Sequence, residues 1–361
     1  MSFEKFTGTR PVAPQHAFDA ERLAAWMREH VDHGIGTLEI AQFKGGQSNP
    51  TYLVTSGTRR FALRRKPPGK LLPSAHAVDR EYRVMTALAS TDVPVPKTYA
   101  LCDDAEVIGT AFFLMDYVEG RVLWDPTLPE LTPAQRTAHY REMNRVIAAL
   151  HSVDAGAIGL GDYGKPGNYF ERQIGRWTKQ YQASITQPIE AMDRLIEWLP
   201  AHIPASARDE SEIAVVHGDF RLDNLVFAAD EPRIVAVLDW ELSTLGHPLA
   251  DFSYHCMSWH IAPGGAHASR GIGGLDHAAL GIPTEREYVE RYCERTGRAD
   301  PDAVMADWNF YLAYNLFRIA GILQGIAKRV EAGTASSDKA RQSAAGARPL
   351  AEMGWRIAQQ S

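Results

Sequence analysis

The spacing of apolar residues changes period several times along the chain, and each change predicts an element. Asp19 can cap a helix that runs through Trp26 to about His30, and Gly34 and Gly36 stop it. From Leu38 the pattern is strand-like over 38–43, turns at Gly45-Gly46, and resumes over 51–55 and, after Ser56-Gly57, over 60–64. These are hairpin signals. Helical spacing returns over 74–89 and is broken by Val93-Pro94-Val95-Pro96. Strands at 98–102 and 111–117 follow and end at Glu119-Gly120. Residues up to 117 thus predict a small antiparallel sheet with one main helix.

Beyond that point the pattern is mostly helical, over 133–151, 172–199, 285–296 and 301–330. One short β-rich stretch, 213–240, interrupts it. Two segments have loop compositions: 262–274, rich in Gly, Ala and His, and 333–347, small and polar. The first follows the β-rich stretch by about twenty residues and reads as a lid, because glycine lets a loop move at little steric cost. The class these patterns predict is α+β, with an N-terminal lobe at 1–117 and a larger, mainly helical lobe at 118–361 that carries the hairpin at 213–241.

Composition narrows what such a chain can do. It has 361 residues, 45% hydrophobic and 23% charged, which is ordinary for a globular protein and long enough for two lobes with their own cores. Lys plus Arg number 38 against 44 Asp plus Glu, giving a net charge of −6. A protein that neutralises a nucleic-acid backbone needs a basic surface, so nucleic acid is not an expected partner. Cys102, Cys256 and Cys293 are too scattered for a disulfide framework and read as thiols in a reducing compartment. The first ten residues have no apolar core of the signal-peptide kind, and the apolar run 309–327 is interrupted by Asn315, Arg318 and Gln324. No membrane span is expected, and the expected location is cytoplasmic.

The most informative stretch is His217-Gly218-Asp219, four further residues, then Asn224 at the start of a new strand. A turn and another strand lead to Asp239-Trp240-Glu241. A hairpin of this kind presents Asp219, Asn224 and Asp239 at its ends. Two carboxylates and an amide oxygen are hard ligands that suit Mg²⁺ carrying a polyphosphate. Asp219 can also orient an attacking hydroxyl or accept its proton. His255, His260 and His267 match no common zinc spacing and read as ordinary helix and loop histidines.

The pattern His-Gly-Asp-x₄-Asn followed by Leu238-Asp239-Trp240-Glu241 resembles the signature of the aminoglycoside phosphotransferase and choline kinase-like family, which has a two-lobed protein-kinase-like fold. The resemblance implies that Asp219 is the catalytic base, that Asn224 and Asp239 hold Mg²⁺, and that His217 is structural. It also makes demands on the N-terminal half. Lys44-Gly45-Gly46-Gln47-Ser48-Asn49 lies between two strands, where Gly45 and Gly46 would let the backbone approach phosphate and Ser48 and Asn49 would add donors. In Phe61-Ala62-Leu63-Arg64 the alternation puts Ala62 and Arg64 on one face, a small side chain for adenine and a cation for phosphates. Arg65 and Lys66 follow directly and are alternative phosphate cations. Glu81, on the predicted helix, is the natural partner for Arg64. Met115 would line the adenine pocket, and backbone groups of Asp116 and Val118 would bond its edge. In Gly246-His247-Pro248-Leu249-Ala250-Asp251, Asp251 is expected to cap a helix and to tie down the catalytic segment.

The runs Phe-Lys-Gly-Gly-Gln-Ser-Asn-Pro-Thr-Tyr (43–52) and Arg-Arg-Lys-Pro-Pro-Gly (64–69) look most like the branch of kinase-like domains fused to acyl-CoA dehydrogenases. The implied activity is transfer of the γ-phosphate of ATP to a hydroxyl of a small molecule, with a hydroxyacyl thioester as one acceptor. A choline-, homoserine- or aminoglycoside-type kinase and a non-catalytic nucleotide-binding module are the competing readings. For a cation cage Trp259, Trp308, Tyr311 and Tyr314 are available, although aromatics on such helices are usually core.

Overall fold

The computed structural model describes residues 8–44, 49–67, 77–165, 167–264, 271–297, 300–335 and 338–360. The chain folds as two compact units, Met1–Trp124 with Asp223–Ser243, and Asp125–Leu222 with Thr244–Ser361. Along the chain come β1 (Thr9–Arg10), α1 (Ala20–His30), β2 (Glu39–Phe43), β3 (Thr51–Ser56), β4 (Arg59–Arg65) and α2 (Val78–Leu88). Next are β5 (Thr98–Cys102), α3 (Ala105–Ile108), β6 (Phe112–Asp116) and β7 (Arg121–Val122). Helices α4 (Pro133–His151), α5 (Tyr169–Ser184) and α6 (Glu190–Ala201) precede β8 (Ala214–Val216), β9 (Leu225–Phe227), β10 (Ile234–Val237) and β11 (Thr244–Gly246). The chain continues through α7 (Pro248–Cys256), α8 (His277–Leu280), α9 (Glu285–Thr296) and α10 (Pro301–Ala306). The last helices are α11 (Trp308–Glu331), α12 (Asp338–Ala344) and α13 (Ala347–Ala358). The class is α+β.

In the first unit six strands form one sheet in the order β1-β2-β3-β4-β6-β5, with every pairing antiparallel. Gly57, at φ 59°, makes the tight turn between β3 and β4 that only glycine enters without strain. Asp19 caps α1 by accepting from the N–H groups of Glu21 and Arg22 at 2.9 and 3.1 Å. Strand alternation then sorts β4. Phe61 and Leu63, with Tyr52, Val54, Phe112 and Leu114, pack against Leu23, Ala24 and Met27 of α1. Burying each such side chain is worth about 1.5–3 kcal/mol, and the run of them fixes the register. Ala62 and Arg64 therefore take the opposite face, where their cross-strand partners are Met115 and Phe113. Tyr82 of α2 packs on Phe113 on that face, with ring centroids 6.0 Å apart.

The segment Asp223–Ser243, placed by the sequence pattern with the helical lobe, packs with the first unit. It supplies β9 and β10, which pair with β7 in a second antiparallel sheet. Gly120 is required beside β7, because a Cβ there would lie 2.3 Å from the Phe227 carbonyl oxygen. The Val237 N–H donates to Pro94 O at 2.8 Å and ties β10 to the proline-rich break after α2.

The second unit is built around α11, which packs against α5, α6, α7 and α13. Two buried amides of α11 tie it to its neighbours: Asn315 Nδ2 donates to Ala250 O at 2.9 Å and Ser253 Oγ at 2.8 Å, and Gln324 Nε2 donates to Ser184 O at 2.8 Å. The helix predicted over 172–199 is two helices, α5 and α6, because Ile185 turns to extended geometry and Pro188 disfavours helix in the residue before it. The run 301–330 is likewise divided at Asp307 into α10 and α11. The segment 333–347, expected as a loop, contains α12, and α13 begins at its last residue, Ala347. Of the 262–274 segment, residues 265–270 lie outside the described residues, as does His267. Its flanks are joined by Ile272 N–H to Ser258 O at 2.7 Å and Gly273 N–H to Ile261 O at 2.9 Å. Among the described residues no helix is long and apolar enough to cross a membrane. Cys102, Cys256 and Cys293 are all buried and unpaired.

Candidate active site

The first unit gathers Asn49, Arg64, Glu81, Asp239 and Glu241 from four separate stretches of sequence. Arg64, buried on β4, sets its Nε 2.7 Å from Glu81 Oε2 on α2. Its Nη2 lies 2.5 Å from Asp239 Oδ1 and 3.7 Å from Glu241 Oε2. Burial works to lower the Arg64 pKa, but Glu81, Asp239 and Glu241 outweigh it and keep the guanidinium charged. Burial pushes the Glu81 carboxyl up, opposed by Arg64 and by a hydrogen bond from Asn49. Of the other two cations, Arg65 is on the opposite face, its guanidinium stacked over Phe18 and Tyr52 and donating to Ile108 O. Lys66 Nζ sits 3.8 Å from Asp79. Geometry thus separates Arg64 from its neighbours.

Asp239, two residues after β10, lies in the left-handed region, φ 67° and ψ 58°, a conformation that costs an L-residue roughly 1–2 kcal/mol. Two hydrogen bonds hold the turn after it: Trp240 Nε1 to Val237 O at 2.9 Å and Ser243 Oγ to Trp240 O at 2.5 Å. The Leu238 N–H donates to the Asn224 carbonyl at 2.8 Å, and Leu225 pairs with Val237. Asn224 and Asp239 therefore leave the β9–β10 ladder at the same end. A carboxylate and an amide so arranged are hard oxygen donors that fit Mg²⁺, an ion that takes its other ligands from phosphate oxygens and water. Asp239 is about one-third exposed, open enough to be shared between an ion and Arg64. Among the described residues no group of three or more His, Cys, Asp or Glu could hold a metal ion.

Ala62 and Met115 face each other in the β4–β6 register, a small side chain opposite a long flexible one. The Asp116 N–H is engaged with Lys97 O at 2.8 Å, and its carboxylate accepts from Tyr99 OH at 2.5 Å. Val118 follows β6 and is half-buried. Gly45, Gly46 and Ser48 lie outside the described residues. Asn49 is fully buried, and its amide, expected to donate to phosphate, donates to Glu81 Oε1 at 2.7 Å.

The second unit holds the His217-Gly218-Asp219 segment from three sides. Asp251 accepts from the backbone N–H of His217 at 2.7 Å and of Gly218 at 2.9 Å. His151 Nε2 lies 3.2 Å from the same carboxylate, and His151 Nδ1 is 2.7 Å from Tyr292 OH. Burial alone raises the Asp251 carboxyl, but His151 and His217 more than reverse this and hold it below the usual range. Asp251 does not cap α7. It lies inside the first turn, and His247 is the cap, its Nδ1 accepting from Leu249 N–H at 3.2 Å. Pro248 after it suits a first helical position.

Gly218 has φ 80°, and its carbonyl accepts from Arg318 Nη2 at 2.6 Å. The Asp219 N–H donates to His217 Nδ1 at 3.2 Å, and Tyr254 OH donates to Asp219 Oδ1. Arg221 Nε is 3.6 Å from that oxygen. Arg318 stacks on Tyr254 and Trp177, 5.2 and 5.7 Å from their ring centres. Burial and the adjacent Asp219 push the Tyr254 phenol up, so it stays a donor at neutral pH. Sequence reasoning missed Tyr254, Arg318 and the role of Glu241. Arg318 left a signal, since a charge inside an apolar helix requires a buried partner. Tyr254 left one too, one helical turn after Asp251.

With this fold and these motifs, the chain belongs to the phosphotransferase enzyme family, whose pattern matches residues 39–304. It is 46% identical over 351 residues to acyl-CoA dehydrogenase family member 10 of Mus musculus, covering 97% of this chain and 32% of that protein. The chain spans less than half the length of the curated relatives it matches. A crystal structure from Ralstonia eutropha, described as an aminoglycoside phosphotransferase, is 60% identical with a TM-score of 0.86, covering 95% of this chain and 99% of that one. An aminoglycoside phosphotransferase in ternary complex with AMP-PNP and hygromycin B shares the fold, at 16% identity and a TM-score of 0.59, covering 94% of this chain and 99% of that one.

Proposed function

We propose that the chain is an ATP-dependent small-molecule kinase that moves the γ-phosphate of ATP to an alcohol. The observation that carries this reading is the cluster in the first unit, where Arg64 is oriented by Glu81 beside Asp239, and Asn224 leaves the same ladder end. Phosphoryl transfer asks mainly for positioning and charge stabilisation, and this is the equipment it needs. Arg64, with backbone groups of Gly45 and Gly46 and the Ser48 hydroxyl, would hold the phosphates. Ala62 and Met115 would flank the adenine, with the Asp116 carbonyl and the Val118 N–H at its edge. Asn224 and Asp239 would hold Mg²⁺, which when bound supplies positive charge against the phosphate oxygens. Asp219 would align the acceptor hydroxyl and take its proton as the new P–O bond forms and the bond to ADP breaks.

For the acceptor we favour a hydroxyl on an acyl thioester. The support is the likeness over nearly the whole chain to a protein named as an acyl-CoA dehydrogenase family member. Arg221 beside Asp219, and Arg318 on the adjoining carbonyl, also favour a neutral or anionic acceptor over a polycationic aminoglycoside. Unpaired buried thiols accord with a reducing, cytoplasmic setting. The test is calorimetric titration with ATP in the presence and absence of Mg²⁺. Asp239→Ala should weaken Mg-ATP binding at least tenfold while leaving the thermal midpoint within a few degrees. Unchanged affinity would remove Asp239 from the metal site.

A further inference from the structure

We infer that Asn49 is a positioning residue, which locks the end of the glycine-rich run onto the Arg64–Glu81 ion pair and does not itself touch phosphate. The inference rests on the nucleotide-binding reading above and changes the role of one residue in it. Asn49 is fully buried, and its amide nitrogen faces carboxylate oxygens. Its Nδ2 donates to Glu81 Oε1 at 2.7 Å, and the second carboxylate, Glu241 Oε2, lies 3.5 Å from the same nitrogen. Glu81 thus divides its oxygens, Oε1 to Asn49 and Oε2 to Arg64, and the two contacts fix the carboxylate plane.

The backbone at Asn49 is equally constrained. Pro50 disfavours helical geometry in the residue before it. The Asn49 carbonyl accepts from Thr51 Oγ1 at 3.1 Å, and the Pro50 carbonyl accepts from the Arg65 N–H at 3.1 Å. Asn49 therefore joins the chain to α2 through its side chain, and Pro50 beside it joins the chain to β4 through its carbonyl. An amide brings two donors and no charge, so it can bridge two carboxylates that would otherwise repel each other. Neither a serine nor a lysine in this place does both.

The test is a double-mutant cycle read by calorimetric titration with Mg-ATP, with each variant's thermal midpoint as the folding control. Asn49→Ala should weaken Mg-ATP binding about tenfold in the otherwise native chain and less than about twofold in Glu81→Ala. Asn49→Asp keeps the shape and sets a carboxylate against Glu81, so it should weaken binding further, and most of that loss should disappear when Glu81 is removed. Equal losses in the two backgrounds would make Asn49 a direct phosphate donor and overturn the inference. No loss in the native background would overturn it as well. A native chain that binds no Mg-ATP would instead bring down the nucleotide reading, and this inference with it.

Discussion

His247 and His255 illustrate how burial fixes a protonation state that the local structure then uses. Burial lowers each from the ordinary value near 6.5 to about 4. The neutral ring of His247 can accept the Leu249 N–H and cap α7, and His255 Nε2 lies 2.9 Å from Tyr288 OH. The unfolded chain protonates these rings below about 6.5, whereas the folded chain resists until about 4. The unfolded state thus binds more protons in that window, and folding stability falls as pH drops through it, by up to roughly 1.4 kcal/mol per pH unit for each ring. Urea melts at pH 7 and pH 5 should show this loss, and His255→Gln should reduce it. The same loss in both proteins would mean that His255 contributes none of it.

At the scale of elements, α7 is the support on which the His217-Gly218-Asp219 segment rests. Asp251 and Tyr254, one turn apart, reach three successive residues, His217, Gly218 and Asp219. Removing a buried, fully bonded carboxylate strands its donors, and breaking such pairs costs about 3–5 kcal/mol. Asp251→Ala should lower the unfolding free energy by about that amount in urea melts, whereas the exposed Glu190→Ala should change it by less than about 0.5 kcal/mol. A small effect at Asp251 would mean the clamp carries little stability. The hairpins of the first unit were legible because Ser56-Gly57 and strand alternation are local signals. The division of 172–199 was written in Pro188 yet masked by helical spacing on both sides. Arg64, Glu81 and Asp239 could each be picked out by motif. The contacts of Asp219 with Tyr254 and of Gly218 with Arg318 join residues 35 and 100 positions apart, and no local pattern encodes them.

For the whole molecule, a net charge of −6 coexists with guanidiniums gathered where chemistry is proposed, Arg64 in one unit and Arg221 and Arg318 in the other. Net charge therefore says little about the acceptor, and the local charges say more. The family places the chain among phosphotransferases, and Asp219, Asn224, Asp239 and Arg64 are the residues proposed as base, metal ligands and phosphate cation. The reaction proposed for them is transfer of phosphate to a hydroxyl that Asp219 aligns. The most direct test is ³¹P NMR of the protein with Mg-ATP and a panel of alcohols that includes hydroxyacyl thioesters, run beside Asp219→Asn. A kinase of this kind gives a new phosphomonoester signal that grows as ADP appears with at least one alcohol. The rate should be about 10²–10⁴-fold lower in Asp219→Asn at little-changed Mg-ATP affinity. Equal rates in the two proteins, or tight Mg-ATP binding with no phosphomonoester from any alcohol, would contradict the proposal.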